Sequence, residues 1–233
     1  VRPIGRPLLA LSDIHGDRDA LESILSAVKR IPLAGIVAAG DHCFGGPDPF
    51  GVWQRLHELG ATLARGETDL ALATLDLRTF TPQSHEDEGK LRDFMATREL
   101  LGDIVCRRLG ELPVTQVVSL DDRAGVMVVH ASPRDPWSTL TSDLSSTDLM
   151  DEVACAAEDV LVVGKSHRPF VRRVGSLLVV NAGSVGMSGE STVGDRRLAH
   201  ATLVQEFSDG VVRALTDRIV VARKRDRANR SAG

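Results

Sequence analysis

The chain has no tyrosine, and aromatic residues make up only 3% of its 233 positions. Its core must therefore be filled by leucine, valine, isoleucine and alanine. Cysteine is scarce as well. Cys43, Cys106 and Cys155 are odd in number and far apart, which fits reduced thiols and excludes a disulfide framework or a zinc knuckle. No uncharged apolar run approaches the roughly 20 residues that cross a bilayer, and the N-terminus lacks a secretory pattern. A cytoplasmic protein with no membrane partner is the expectation. A basic excess is missing too: the formal charge is −4, which argues against a broad nucleic-acid-binding face.

What remains is an ordinary globular balance, 42% hydrophobic and 26% charged, long enough for one well-buried α/β domain over residues 1–233. Apolar runs at 8–13, 35–40 and 61–65 predict strands. Between them, 17–29 has apolar residues at helical spacing with Asp17 as its cap, and 47–59 reads as a second helix. The first third is therefore βαβαβ, which calls for a parallel sheet with helices on its faces. Residues 69–112 show no strand: a polar loop over 78–90 precedes a helix over 91–109. Strands are expected at 114–120, 126–130, 160–163, 170–174, 177–181, 200–206 and 211–215. Asp121-Asp122 and Val174-Gly175-Ser176 sit where hairpin turns belong. The basic run 222–233 reads as a solvated tail.

Polar motifs close the apolar runs. The first is Ser12-Asp13-Ile14-His15-Gly16, followed by Gly40-Asp41, Gly66-Glu67-Thr68-Asp69, Val129-His130-Ala131-Ser132-Pro133 and Gly164-Lys165-Ser166-His167. Residues i and i+2 of an extended strand project to one side, so Asp13 and His15 can present a carboxylate and an imidazole to one point. That donor set suits manganese, iron or zinc and not calcium. Open α/β sheets gather such sites at the carboxyl ends of their strands.

With these motifs, and with Gly46-Pro47-Asp48-Pro49, Arg65-Gly66, Ser166-His167-Arg168-Pro169 and Asn181-Ala182-Gly183-Ser184 beside them, the chain resembles the calcineurin-like metallophosphoesterases. Within them it is most similar to the small bacterial and archaeal phosphodiesterase-type branch. The resemblance spans Leu8 to about Leu203. It implies a four-layer sandwich, two mixed β-sheets flanked by helices, with a small helical cap at about 70–112 that varies with substrate. It also implies hydrolysis of a phosphodiester or small phosphomonoester, of nucleotide type by analogy, by metal-activated water. The first ion would be held by Asp13, His15, Asp41 and His167, all present here. The second would be held by Asp41, His130 and two further residues.

At those two further positions, and at one beside them, the chain departs from the family pattern. Glu67 stands for an asparagine, Lys165 for a histidine, and Thr68 for the histidine that serves the leaving group. A protonated lysine has no lone pair to offer a metal. Glu67 and Lys165 can instead pair where the second ion would sit, which leaves about one divalent ion per chain; alternatively Glu67 ligates and Lys165 binds phosphate. Thr68 can donate a hydrogen bond but cannot cycle protons as imidazole does, and General acid catalysis supplies about 10²–10⁴-fold. His42 is the nearest candidate to replace it, against a structural role on the opposite face. Arg168, with Arg134, can clamp phosphate or pair with surface carboxylates. Asn181 can border the substrate or fix a loop. These departures admit a second function: a catalytically degenerate member that binds a nucleotide or a partner protein. Oligomeric state is not legible.

Overall fold

A computed structural model describes residues 2–79, 81–120, 124–188, 197–206 and 211–221. The basic tail at 222–233 and the Asp121-Asp122 turn lie outside them. β1 (Leu8–Leu11), α1 (Arg18–Val28), β2 (Gly35–Ala39), α2 (Pro49–Glu58) and β3 (Thr62–Ala64) form the βαβαβ unit. Both helices start on an aspartate that accepts from a first-turn N–H: Asp17 Oδ1 from Ala20 at 3.0 Å and Asp48 Oδ1 from Gly51 at 2.9 Å. The helical region holds α3 (Glu67–Thr74), a short 3₁₀ turn (Leu77–Thr79) and α4 (His85–Gly110), which is interrupted at Gly102. The expected helix over 91–109 thus begins a turn and a half earlier, because Ser84 caps it through the Asp87 N–H.

The remaining elements are β4 (Thr115–Leu120), β5 (Ala124–Val129), α5 (Ser146–Val153), β6 (Val160–Val163), β7 (Phe170–Val174), β8 (Leu177–Asn181), β9 (Leu198–Glu206) and β10 (Val212–Val220). α5 was not expected; at eight residues its pattern is too short to stand out. Gly175 does turn β7 into β8, with φ 59°.

Two five-stranded mixed sheets result, ordered β10-β9-β1-β2-β3 and β4-β5-β6-β8-β7. β1, β2 and β3 run parallel, as do β5, β6 and β8. Alternation within strands builds the layers. Leu8 and Ala10 face the second sheet, where they meet a cluster of valine, leucine and alanine that includes Val128, Val162 and Val180. Leu9 and Leu11 face the opposite way, into α1, α2 and α4. Leu161, Val163 and Val179 pack outward with Leu149 and Val153 of α5. The ring-poor composition fits this design: the inter-sheet cluster contains no aromatic side chain among the described residues. No described helix is long and apolar enough to cross a membrane.

The carboxyl ends of β1, β2, β3, β5 and β6 converge on one rim. Loops there are laced laterally by backbone bonds: Asp13 N–H to Gly40 O at 3.1 Å, His15 N–H to Asp41 O at 3.0 Å, Gly164 N–H to His130 O at 3.0 Å and Gly186 N–H to Asp13 O at 3.0 Å.

Candidate metal centre

The rim differs from the extended geometry the sequence suggested. β1 ends at Leu11, and Asp13 and His15 have φ of 52° and 50°. Asp41, Lys165 and His167 share this left-handed conformation, with φ of 54°, 64° and 57°. Among the described residues these five are the only non-glycine positions with positive φ, and they come from three different loops. Left-handed turns, not strand alternation, aim the side chains inward. Close approach completes the arrangement: a methyl at Gly66 would lie 2.1 Å from Asp41 Oδ1, and one at Gly164 would lie 1.7 Å from Ser12 Oγ.

Asp13 Oδ1, His15 Nε2 and His167 Nε2 face one point. The imidazole nitrogens are 3.2 Å apart, and Asp13 Oδ1 lies 3.8 Å from His15 Nε2 and 3.2 Å from His167 Nε2. Donors sharing one transition metal at about 2.0–2.2 Å have spacings of this size. Each remaining polar atom is already committed. His15 Nδ1 donates to Phe44 O at 2.8 Å, and His167 Nδ1 to Met187 O at 3.0 Å, which leaves each Nε2 as the free lone pair. Asp13 Oδ2 accepts from Ser12 Oγ at 2.6 Å and from Lys165 N–H at 3.0 Å. Asp13 Oδ1 is buried without a hydrogen-bond partner. An orphaned carboxylate oxygen beside two oriented imidazoles fits a divalent ion, since an unpaired buried charge is otherwise costly.

A second group joins Asp13 to Asp41 and His130. His130 Nε2 is 3.5 Å from Asp41 Oδ2 and has no hydrogen-bond partner, while Nδ1 donates to Ala39 O at 2.7 Å. Burial lowers the His130 pKa, but the carboxylates of Asp41 and Asp13 outweigh it and push it up to about 9. Burial of Asp41 works to raise its pKa; His130, His15 and the Thr68 N–H, at 2.9 Å, hold it well below the usual carboxylate range. With no metal between them, the Asp13 carboxylate, 3.2 Å from its Nε2, raises the His167 pKa. Asp41 therefore falls with Asp13 and His130, and Asp13 is the residue common to both groups.

Beyond this group the chemistry changes. Lys165 Nζ forms a close ion pair with Glu67 Oε2; the lysine side chain is only 15% exposed. Thr68 holds Asp41 by its backbone N–H, while its own Oγ1 is buried and unpartnered. His42 is not at the centre. It is fully buried, with Nε2 against Ala64 O at 2.9 Å and Asp69 3.6 Å away, so its ring cannot reach a leaving group. Asn181 is buried too: its Nδ2 donates to Gly164 O at 2.7 Å and Ser166 Oγ at 3.0 Å, and its Oδ1 accepts from Gly183 at 2.9 Å. It fixes the loop that carries Lys165 and His167 and has nothing left for substrate. Arg168 lines a different cavity, with Thr139, Asp143 and Ser166.

Asp69 joins the site in a way that its sequence position alone does not show. At the third position of α3 it is fully buried, and it accepts from Asp41 N–H at 2.9 Å, His42 N–H at 3.0 Å and Gly66 N–H at 2.8 Å. One carboxylate thereby locks two site loops together. Its sequence signal is an acid three residues after a helix-capping glycine.

The model of the calcineurin-like phosphoesterase superfamily domain matches residues 7–202. A hypothetical protein of Pyrococcus horikoshii has a similar structure, with a TM-score of 0.76, 18% identity, and 97% of this chain and 93% of that chain covered. A metallophosphoesterase of Sphaerobacter thermophilus is similar with a TM-score of 0.69, 22% identity, and 99% and 95% coverage. No curated protein matches the chain in sequence.

Proposed function

Because the chain belongs to the calcineurin-like phosphoesterase superfamily, we propose that it is a metal-dependent phosphoesterase acting on a phosphodiester or small phosphomonoester of nucleotide type. The observation that carries this reading is the triangle of Asp13 Oδ1, His15 Nε2 and His167 Nε2, with every other polar atom of those side chains tied down. Manganese, iron or zinc suits these donors. When bound, such an ion lowers the pKa of a water and offsets charge on phosphoryl oxygens. Asp13, His15 and His167 would hold the ion, and Asp41 and His130 form the adjoining donor group with Asp13. Lys165 supplies a fixed positive charge where a second cation would otherwise sit, and Glu67 keeps it there. About one ion per chain follows.

The whole chain serves as one domain, with 70–112 as its cap. Between that cap and the centre lies a cavity of about 480 Å³, walled by Phe44, Leu75, Leu77, Phe94 and Met187. Phe44 and Met187 also hold the two imidazoles, so the cavity adjoins the metal donors. It gives the cap a direct part in selecting the ester's organic group.

The Lys165–Glu67 pair and the buried Thr68 hydroxyl favour a second reading, a catalytically degenerate member that binds a nucleotide without turning it over. Release of nitrophenol from a bis-aryl phosphodiester with added manganese decides between them. Release that a chelator abolishes supports the enzyme. An ion retained on elemental analysis with no release supports the binder.

A further inference from the structure

On the other side of Glu67 from the cap lies a smaller slot, about 130 Å³, between Glu67, Leu70, Val114, Val129, His130 and Trp137. Glu67 lines both this slot and the larger cavity, so the slot opens beside the ion pair and against the second donor group. Trp137 is 61% exposed, although the chain has only two tryptophans and the other, Trp53, is buried. The backbone that carries it is fixed. Trp137 N–H donates to Asp135 Oδ1 at 2.9 Å, Ser138 N–H to Asp135 O at 3.0 Å, and Ser132 N–H to Ser138 O at 3.0 Å. Ser132 is itself buried and anchored to Glu152 O at 3.0 Å. The ring is thus held on a short closed turn that starts two residues after His130.

We infer that Trp137 and this slot form a stacking seat for the nucleobase of a nucleotide whose phosphate lies at the Lys165 side of the metal centre. This rests on the phosphoesterase reading above and narrows its substrate class. A flat ring buries both faces best between an indole and an apolar wall, and Val114, Val129 and Pro136 provide that wall. Reach is consistent, because Glu67 and His130 belong both to the slot and to the group around the centre. The larger cavity on the cap side has no tryptophan, and its two rings, Phe44 and Phe94, are packed edge to face on each other at 5.6 Å, so it offers no free indole face to a base.

Binding measured on the full chain loaded with manganese tests the seat without turnover. AMP and ribose 5-phosphate share the sugar and phosphate but differ in the ring. AMP should bind about tenfold or more tighter by calorimetry and should quench tryptophan emission, which ribose 5-phosphate should not. Trp137→Ala should equalise the two affinities and remove the quench, and Trp137→Phe should keep most of the AMP preference. Because Trp137 is mostly exposed, both variants should melt close to the wild type. Equal affinities in the wild type, no measurable AMP binding, or a preference that survives Trp137→Ala would each overturn the seat. Should AMP bind as expected while no ester is ever hydrolysed, the seat stands and the catalytic reading alone falls.

Discussion

The two halves of the metal centre are built by the same backbone device and furnished with opposite chemistry. On one side, Asp13, His15 and His167 offer three lone-pair donors, each oriented by a hydrogen bond to backbone or neighbouring side chain. On the other, Lys165 takes the same left-handed conformation as those donors yet presents an ammonium to Glu67. Between the halves stand Asp13, Asp41 and His130, a second group of donor atoms close enough together to share an ion. The contrast teaches that backbone shape and side-chain chemistry are separable: the same left-handed conformation presents a carboxylate, an imidazole or an ammonium.

The hardest blow to the intact half should come from Asp13→Ala. It removes the donor common to both groups, so manganese content should fall to background on elemental analysis and hydrolysis with it. Retained metal after this change would break the comparison at its root. Thr68→His acts on the other half. It returns an imidazole beside the 480 Å³ cavity, where there is room for it, and should speed hydrolysis of alkyl phosphodiesters about 10²-fold while aryl diesters gain little. Equal gains for both leaving groups would argue against any acid role at this position.

Asp69→Asn tests the clamp between the halves. An amide can accept through one oxygen only, so at least one of the three backbone N–H groups loses its partner. Metal affinity measured by competition with a chelating dye should weaken about 10–100-fold. Smaller in scale, Glu67→Asn combined with Lys165→His should raise bound manganese from about one ion per chain towards two. Two ions in the wild type would instead make Lys165 a phosphate-binding residue.

The mildest effect concerns the metal-free protein. His130 has its folded pKa raised, to about 9, above an unfolded value near 6.5. Its contribution to stability is therefore fully present below about pH 6.5 and is lost as pH rises through 9. Thermal midpoints of chelator-treated protein should decline between pH 7 and 9, and His130→Asn should flatten that decline. The same proton must leave when a metal arrives, so manganese affinity should rise over this interval.

Much of this was legible in the chain, and the gaps have physical causes. The βαβαβ start is plain because Leu8–Leu11 and Gly35–Ala39 are short continuous apolar runs with capped amphipathic helices between them. The site motifs stand out because each closes such a run. Yet the i, i+2 argument for Asp13 and His15 assumes extended backbone, and nothing in Asp-Ile-His announces the positive φ that brings the two side chains together. His42 and Asn181 look like site residues by adjacency. Their side chains are spent on Ala64 and on the 164–166 loop, partners distant in sequence that no local pattern reveals. Asp69 escaped for the same reason, as two of its three N–H donors come from a loop 27 and 28 residues earlier.

The five left-handed side chains have a consequence for how this protein can change. A non-glycine residue in that region is strained by about 1–2 kcal/mol, somewhat less for aspartate. Glycine would relieve the strain and would cost a comparable amount in unfolded-chain entropy. The backbone cost at Asp13, His15, Asp41, Lys165 and His167 is thus much the same for a side chain as for glycine, and what distinguishes residues there is the hydrogen bonds and charges their side chains bring. One backbone shape thereby carries a carboxylate, an imidazole or an ammonium to the same rim, and the two sheets beneath it stay the same whichever is presented.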